Sequence, residues 1–417
     1  MTNDLQKAAL QYHASFPAGK VGIVSTKPTD TQYDLSLCYT PGVAEPVKEI
    51  AQNDKAAYFY TNKNNLVAVI SNGTAVLGLG NVGPLASKPV MEGKAVLFKR
   101  FAGIDVYDLE IACDDPLLLA ETIGRLAPTF GGINLEDIKA PECFMVEQIL
   151  KQTLTIPVFH DDQHGTAIVI AAGLLNALEL QHKTLDDVQI VCAGAGAAGI
   201  AAMNLLVKLG AQRDHILMVD RIGVIHTDRK DLNRYKQEVA IKTAKHTLVD
   251  ALDGADVFIG VSGPGLMTVD MLKSMATRPI LFALSNPTPE IMPEVVRSVR
   301  DDVIMATGRS DYPNQVNNAL CFPYIFRGAL DVYASCINEA MQMAAVYAIK
   351  ELAKEPVPPA VLEAYGIKKA MTFGPDYLLP LLIDPRLKTH VSSAVANAAI
   401  TSGVAQVDSF RDSQVNF

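Results

Sequence analysis

The chain has 417 residues and a formal net charge of -9 at pH 7, with 49% hydrophobic, 19% charged and 6% aromatic residues. This composition is typical of a folded globular protein with room for two domains or more. Because nucleic-acid binders usually carry a basic surplus and aromatic rings for base stacking, the acidic balance argues against nucleic acid as a partner.

The N-terminal sequence and the cysteine pattern indicate in which cellular compartment the protein is expected. No basic segment followed by an apolar run opens the chain, and no apolar stretch reaches the ~20 residues of a membrane-spanning helix. Six cysteines are scattered without a CxxC pair, which favours free thiols in a reducing compartment. We therefore expect a soluble cytoplasmic protein that has no membrane partner.

The first third of the chain begins with a polar helix-like stretch and then alternates apolar runs with helical patterns. Glycines separate the first apolar runs, which cover residues 65–73, 75–80 and 94–111. Helices are predicted over residues 115–127 and 140–153. Strands are predicted over residues 131–138 and 156–162. Because strands that alternate with helices favour parallel pairing, this part predicts a parallel sheet.

The middle of the chain repeats this alternation, with apolar runs that end in polar residues or glycine. These runs predict strands over residues 187–196, 215–220, 255–263, 279–286 and 302–308. Such runs are typical of buried parallel strands whose carboxyl ends face a crevice. A helix is predicted over 329–353, the Pro-rich segment 355–361 ends it, and residues 401–417 form a polar tail.

A Gly-rich turn, GAGAAG, lies between a predicted strand and a predicted helix. Gly194 permits a tight turn, Gly196 lets the backbone approach a pyrophosphate, and Gly199 lets the helix pack closely on the strand. Ala197 and Ala198 open the helix, whose N-terminal N–H groups favour phosphate. A Gly/Ala-rich helix that packs on a sheet without any ligand is the alternative, but the strand, turn and helix together favour a dinucleotide site.

The coenzyme choice stays open at the end of the next predicted strand. Asp220 lies where an acidic residue accepts the ribose 2′-OH of NAD. Arg221, its neighbour, is suited to the 2′-phosphate of NADP. The two side chains therefore favour opposite coenzymes.

Two pairs of carboxylates close neighbouring predicted strands. Glu136 and Asp137 follow the first strand, and Asp161 and Asp162 follow the second. If these strands are parallel neighbours, the oxygens meet at one edge and suit a hard cation such as Mg²⁺ or Mn²⁺. Either pair alone would be typical of a solvated turn, but two pairs that flank one short helix favour a metal site.

A histidine pair four residues apart, in the segment HDDQH, invites comparison with a zinc site. The segment lacks the glutamate base of the HExxH zinc motif and follows a strand, so His160 and His164 need not share a face. We therefore reject zinc and expect His164 to be a hydrogen-bonding residue at the start of a helix.

Seven motifs, in this order, resemble those of malic enzymes. They are YTPGV (39–43), MEGKAVLF (91–98), NLEDI (134–138), FHDDQHGTA (159–167), GAGAAG (194–199), LSNPT (284–288) and GRSDYPNQVNN (308–318). The resemblance covers about residues 10–400 and is closest to the malic-enzyme portion of large bacterial NADP-type enzymes. We expect the phosphotransacetylase-like domain of those enzymes, and acetyl-CoA control through it, to be absent.

The resemblance implies that the chain oxidises L-malate with NAD(P)⁺ and decarboxylates it to pyruvate and CO₂. It implies Tyr39 as the general acid, Lys94 as the general base and Asp161 as the residue that orients Lys94. The metal ligands that it implies are Glu136, Asp137 and Asp162. A lysine needs burial and a nearby cation to act as a base near pH 7, and a metal site provides both.

The substrate contacts implied by the resemblance are Asn286 and Asn318, which would bind the malate carboxylate and nearby coenzyme groups. One departure concerns Ala75, which stands where animal malic enzymes carry an arginine shortly before the GLG segment. We therefore expect backbone N–H groups and the asparagines to hold the C4 carboxylate.

The implied architecture is an α/β protein with two domains. We expect an N-terminal malic-enzyme domain over 1–160 and a Rossmann-type, doubly wound NAD(P)-binding domain with C-terminal helices over 161–400. The resemblance favours NADP slightly, and it implies a homodimer or a higher homo-oligomer in which the segment around Tyr39 contributes to a neighbour's site. Two alternatives remain: a malolactic enzyme, which makes lactate and CO₂, and a non-catalytic NAD(P)-binding sensor.

Overall fold

A computed structural model describes residues 3–407, and its N-terminal part is a set of short helices. Their bounds are α1 (Asn3–Ala14), α2 (Gln32–Cys38), α3 (Ala44–Gln52) and α4 (Ala57–Tyr60). Helices α2, α3 and α4 contain no buried residue. This N-terminal part therefore lies on the surface of a single chain.

The first sheet has four parallel strands in the order β2-β1-β3-β4. The strands are β1 (Leu66–Ser71), β2 (Asp105–Glu110), β3 (Gly132–Leu135) and β4 (Val158–His160). The helices between them are α5 (Pro84–Leu97), α6 (Pro116–Leu126) and α7 (Glu142–Thr153). The strand order reverses between β1 and β3, and ligands of parallel sheets bind at the carboxyl end of such a point.

The second sheet has five parallel strands in the order β6-β5-β7-β8-β9, a doubly wound arrangement. The strands are β5 (Ile190–Ala193), β6 (Ile216–Val219), β7 (Val257–Gly260), β8 (Ile280–Ala283) and β9 (Ile304–Thr307). Its helices are α9 (Ala197–Lys208), α10 (Arg234–Val239), α11 (Leu248–Leu252), α12 (Val269–Ser274) and α13 (Pro293–Val299). The order reverses between β5 and β7, where the Gly-rich turn begins.

The helix α8 (Thr166–Gln181) connects the two sheets and is buried on nearly all its faces. The remaining helices are α14 (Phe322–Asp331), α15 (Glu339–Leu352), α16 (Pro359–Ala364) and α17 (Arg386–Thr401). The largest apolar cluster runs from β1 through α8 to the second sheet and these C-terminal helices. No helix within residues 3–407 is long and apolar enough to cross a membrane.

The structure confirms the predicted strands and the α/β class but divides one predicted helix. The pattern over 329–353 forms two helices, because the Asn338 side chain caps the second one by accepting a hydrogen bond from the Met341 N–H at 3.1 Å. In the expected tail, the Val404 carbonyl accepts from the Ser335 N–H at 2.9 Å. Residues 408–417 of that tail lie outside the described residues.

Candidate functional site

Three carboxylates converge at the carboxyl edge of the first sheet. Glu136 and Asp137 follow β3, Asp162 lies just beyond β4, and these two strands are parallel neighbours. One oxygen of each carboxylate lies within 4.8 Å of an oxygen of each of the others. The Asp137 N–H donates to Oδ2 of Asp162 at 2.8 Å, which ties the two strand ends together. Within residues 3–407, no other group of three or more His, Cys, Asp or Glu residues has metal-ligand spacing.

The protonation of these carboxylates affects which ions the cluster can bind. Burial, reinforced by neighbouring carboxylates, raises the pKa of Asp137 to about 8 and that of Glu136 well above its usual value. Oδ2 of Asp137 is buried without a hydrogen-bond partner. A divalent cation would satisfy this oxygen and balance the clustered charge, and carboxylates are ligands that Mg²⁺ and Mn²⁺ prefer. The three residues therefore fit a hard divalent cation.

Lys94 lies beside this cluster on α5 and is only 8% exposed. Its Nζ contacts Asp161, lies 3.0 Å from Oε1 of Glu136 and sits 4.2 Å from the centre of the Phe322 ring. Burial acts to lower the pKa of Lys94, but the carboxylates of Asp161 and Glu136 outweigh it and raise that pKa. The lowered pKa that we expected is therefore not found in the chain alone, because the same carboxylates stabilise the ammonium ion.

Asp161 occupies the first position of a π-helical turn, Asp161–Gly165, and is fully buried. Burial raises the pKa of Asp161 to about 6, although Lys94 opposes this. A Cβ on Gly165 would lie 1.9 Å from Oδ1 of Asp161 and 3.3 Å from Cβ of Asn318. Glycine is therefore required here, and the close approach places Asn318 against the turn that carries the carboxylates.

Asn286 lies just beyond β8 of the second sheet and approaches the loop after β1 of the first sheet. Its carbonyl oxygen lies 3.6 Å from the position of a Cβ on Gly78, in the loop after β1. Its Nδ2 lies 2.5 Å from the position of a Cβ on Gly308, after β9. The structure thus brings Asn286 between the loops of the two sheets.

Two buried polar residues in this region were missed by the sequence analysis. Nδ2 of Asn134 donates to Oε2 of Glu136 at 3.0 Å. The alternation of side chains along a strand places these two on one face, a signal that could have identified Asn134. Glu290 accepts from the N–H groups of Ser262 at 3.0 Å and Ser285 at 3.1 Å, and so joins the loops after β7 and β8. Nothing in the sequence pattern marks Glu290.

Among the described residues, neither histidine belongs to the carboxylate group that has metal-ligand spacing. Both ring nitrogens of His160 are buried without a hydrogen-bond partner, and its Nδ1 lies 3.8 Å from Oδ2 of Asp162. The ring of His164 instead faces Glu147, with Nε2 2.8 Å from Oε1. The expectation that His164 is a hydrogen-bonding residue is confirmed.

The Tyr39 side chain is exposed and separate from the carboxylate cluster within a single chain. It follows α2 and is 73% exposed. Among the described residues, no hydrogen bond or ring contact joins its side chain to Lys94 or to the carboxylates. The fold of one chain therefore does not bring Tyr39 together with the other candidates.

The Gly-rich turn has the geometry that a dinucleotide site needs. Gly194 adopts φ +121°, and a Cβ there would lie 2.6 Å from the Val261 carbonyl oxygen. A Cβ on Gly199 would lie 1.9 Å from the Gly194 carbonyl oxygen, so the helix can pack this closely only with glycine. Gly196 faces open space, which leaves room for a ligand beside the backbone. The helix α9 then begins with Ala197 and Ala198, as predicted.

Asp220 is already fully hydrogen-bonded within the chain. Its Oδ1 accepts from the Ile222 N–H at 3.0 Å and from Arg229 at 2.8 Å. Its Oδ2 accepts from Arg229 at 3.1 Å and from Lys236 at 2.6 Å. A carboxylate offers about four lone-pair sites, and all are used. Asp220 can accept a ribose hydroxyl only if one of these bonds breaks, whereas Arg221 beside it is exposed.

Two family models match the chain. Residues 18–119 match "Malic enzyme, N-terminal domain", and residues 163–362 match "Malic enzyme, NAD binding domain". Together they cover more than half of the sequence. They leave the segment between them unassigned, so the domain boundary after residue 160 stays a prediction.

Curated relatives extend the likeness over nearly the whole chain. The NADP-dependent malic enzyme of Halomonas elongata is 62% identical over 97% of this chain and 96% of its own length. The NAD-dependent malic enzyme of Rhizobium meliloti is 54% identical over 97% of this chain. The chain spans about half of that second relative, 52% of its length.

A solved structure agrees with these matches. The malic enzyme from Pyrococcus horikoshii has a TM-score of 0.89 and 41% sequence identity, with 97% of this chain and 93% of that chain covered. Fold and sequence therefore agree along almost the full length. The chain belongs to the malic enzyme family.

Proposed function

We propose that the chain catalyses the divalent-metal-dependent oxidative decarboxylation of L-malate to pyruvate and CO₂, with NADP⁺ as the preferred electron acceptor. The observation that carries this proposal is the buried cluster of three carboxylates beside the buried amine of Lys94. This cluster lies at the carboxyl ends of β3 and β4, next to the strand-order reversal between β1 and β3. A dinucleotide turn lies on the second sheet of the same chain.

Lys94 is the proposed base for the C2 hydroxyl of malate. Its amine is held by Asp161 and Glu136 and covered by the Phe322 ring, so its position is fixed and bulk water is kept away. To accept a proton it must first lose its own, which the two carboxylates oppose. A cation bound at Glu136 would weaken that opposition, because it would share the same carboxylate.

Glu136, Asp137 and Asp162 are the proposed ligands of Mg²⁺ or Mn²⁺. When bound, such a cation supplies Lewis acidity toward the oxygens of the substrate and stabilises negative charge that develops during decarboxylation. The chain's own contribution is to hold the ligands in place. Asn134 fixes Glu136, and the Asp137 N–H fixes Asp162.

Asn286 and Asn318 are the proposed contacts of the substrate. Asn318 lies against the carboxylate turn, and Asn286 lies between the loops of the two sheets. Ala75 offers no side-chain charge, and its N–H already donates to the Asp137 carbonyl oxygen at 3.0 Å. The C4 carboxylate is therefore assigned to the two asparagines and to other backbone N–H groups of the loop after β1.

Tyr39 is the proposed acid that protonates C3 after loss of CO₂, and we assign it to the site of a second copy of the chain. The N-terminal part exposes many large apolar side chains, more than a monomer usually leaves in water. Six of them are Leu10, Phe16, Ile23, Val24, Tyr33 and Leu37. A symmetric dimer that buries this surface would remove the apolar area from water and place Tyr39 in contact with its neighbour.

NADP⁺ is preferred over NAD⁺ in this proposal because of the charges beside β6. Arg229 and Lys236 neutralise Asp220, the residue that would repel a 2′-phosphate. Arg221 adds an exposed positive charge at the same place. Relatives that use each coenzyme are more than half identical to the chain, so overall identity alone does not assign it.

The test is absorbance at 340 nm with malate and Mn²⁺, with NAD⁺ and NADP⁺ in parallel, followed by assays for pyruvate and lactate. Reduced coenzyme with an equal amount of pyruvate is the expected result, fastest with NADP⁺. Lactate without reduced coenzyme would identify a malolactic enzyme instead. Tight coenzyme binding without any turnover of malate would favour a sensor.

A further inference from the structure

Glu147 is a buried carboxylate on α7 that the proposed chemistry does not use. It is 6% exposed and contacts the end of β4 through the backbone of His160. Its Oε1 accepts from the backbone N–H of His160 at 3.2 Å and lies 2.7 Å from Nζ of Lys151. Both of its oxygens also meet Nε2 of His164, at 2.8 and 2.9 Å.

These contacts hold both ends of one short segment. His160 is the last residue of β4 and directly precedes Asp161, whereas His164 lies two residues after Asp162. The Glu147 carboxylate therefore contacts residues 160 and 164, on both sides of Asp161 and Asp162. Burial opposes ionisation of Glu147, but His164 and Lys151 hold its pKa below the usual range, so it stays charged.

The two aspartates have few other restraints. Within residues 3–407, the one hydrogen bond of the Asp162 side chain is the one that its Oδ2 accepts from the Asp137 N–H, with Nδ1 of His160 3.8 Å away. Asp161 has one oxygen on Lys94 and the other without a partner. The orientation of both aspartate side chains therefore depends on the backbone of residues 160–164. Glu147 restrains that backbone through its contacts with His160 and His164.

We propose that Glu147 is a positioning residue, which sets the metal site by holding the segment 160–164 at both ends. The inference rests on the proposed metal role of Glu136, Asp137 and Asp162. Residues behind the ligands commonly orient them, and their loss typically lowers metal affinity or activity by about 10- to 100-fold. Glu147 touches neither metal nor substrate and acts only through His160 and His164.

The test is Mn²⁺ binding by the full chain without substrate, measured as free Mn²⁺ by electron paramagnetic resonance. Glu147→Ala is expected to raise the Kd for Mn²⁺ by about 10- to 100-fold, because it frees both ends of the segment. Glu147→Gln is expected to keep the Kd within about 10-fold of wild type, because its amide oxygen can still accept from the His160 N–H. Gln148→Ala, on the exposed side of the same helix, is the matched control and should bind as wild type.

A second measurement separates positioning from a general effect on folding. His164→Ala should weaken Mn²⁺ binding in the same direction, and adding it to Glu147→Ala should cost less than the sum, because both act in one hydrogen-bonded unit. Circular dichroism and the Tm without metal report whether each variant is folded at the assay temperature.

The outcomes distinguish this inference from the proposed function. Wild-type Mn²⁺ binding together with unchanged Mn²⁺ affinity in folded Glu147→Ala would overturn the positioning role alone. A wild-type chain that binds no Mn²⁺ and turns over no malate would overturn the proposed metal site, and this inference with it. A lowered Tm without a change in Kd would mean that Glu147 serves the fold and not the site.

Discussion

Nζ of Lys94 lies 3.0 Å from Oε1 of Glu136, so the proposed base and a proposed metal ligand form one buried ion pair. The pair couples two tasks that the reaction needs. A cation bound to Glu136 would lower the pKa of Lys94, since the Glu136 carboxylate is one of the two that raise that pKa. The metal and the base are therefore expected to act as one unit.

Replacing Lys94 by methionine tests the base. Lys94→Met should lower kcat by about 10²- to 10⁴-fold, the usual contribution of a positioned acid or base. Binding of NADPH, followed by its fluorescence, should change little, because Lys94 lies on α5 beside the first sheet and the Gly-rich turn follows β5 of the second sheet. The control is Lys88→Met on the same helix, whose amine pairs with Asp108 away from the carboxylate cluster. Near-normal turnover in Lys94→Met would remove Lys94 from the mechanism.

The pH dependence of stability in the metal-free chain tests the carboxylate cluster. The pKa of Asp137 is raised from its ordinary value of 3.8 to about 8 by burial and by Asp162. The folded state therefore binds more protons than the unfolded state between these values, and stability is lost as pH rises through this window. In EDTA, Tm should fall from pH 5 to pH 8, and excess Mn²⁺ should reverse the fall by binding the ionised carboxylates.

Asp137→Asn is the variant that checks this assignment, because an amide does not titrate. Its Tm in EDTA should depend less on pH than that of wild type, and Mn²⁺ should stabilise it less. Asp311→Asn, an exposed residue paired with Arg309, is a suitable control. A wild-type Tm that rises with pH over the same window in EDTA would contradict the cluster's raised pKa values.

Mixing two inactive variants tests whether Tyr39 serves a neighbouring copy. Tyr39→Phe and Lys94→Ala should each be inactive alone. In a dimer in which Tyr39 crosses over, the mixed dimer contains one intact site, so random reassembly should restore about one quarter of wild-type activity. If Tyr39 acted within its own chain, no mixture would regain activity. Size-exclusion chromatography shows whether the chains have exchanged.

Coenzyme preference tests the charges beside β6. Arg221→Ala should raise the KM for NADP⁺ by at least about 10-fold and leave the KM for NAD⁺ nearly unchanged, because a hydrogen bond to a charged group contributes about 1.5–3 kcal/mol. Arg297→Ala, on α13 at the far side of the second sheet, should change neither value. An equal rise in both KM values would place Arg221 away from the 2′-phosphate.

Much of the fold follows from local patterns. The alternation of short apolar runs with helical spacing predicted the two groups of parallel strands, since buried strands and amphipathic helices each leave a distinct period in the sequence. The break before α15 was missed, because Asn338 caps that helix in a run that otherwise keeps helical spacing. Helix caps depend on a single residue and are weak signals beside a long apolar pattern.

From the amino-acid pattern alone, the residue types of the site and their order along the chain could be predicted, because strand ends, a Gly-rich turn and clustered carboxylates are local features. Which of these residues contact one another became known from the folded structure. In the fold, Nζ of Lys94 contacts the carboxylates of Glu136 and Asp161, and Tyr39 is exposed. Asp220 forms ion pairs with Arg229 and Lys236. The contact of Lys94 with Asp161 joins residues 67 positions apart, and the bonds of Asp220 with Arg229 and Lys236 span 9 and 16 positions. A period of hydrophobic and polar residues predicts elements but not these individual contacts.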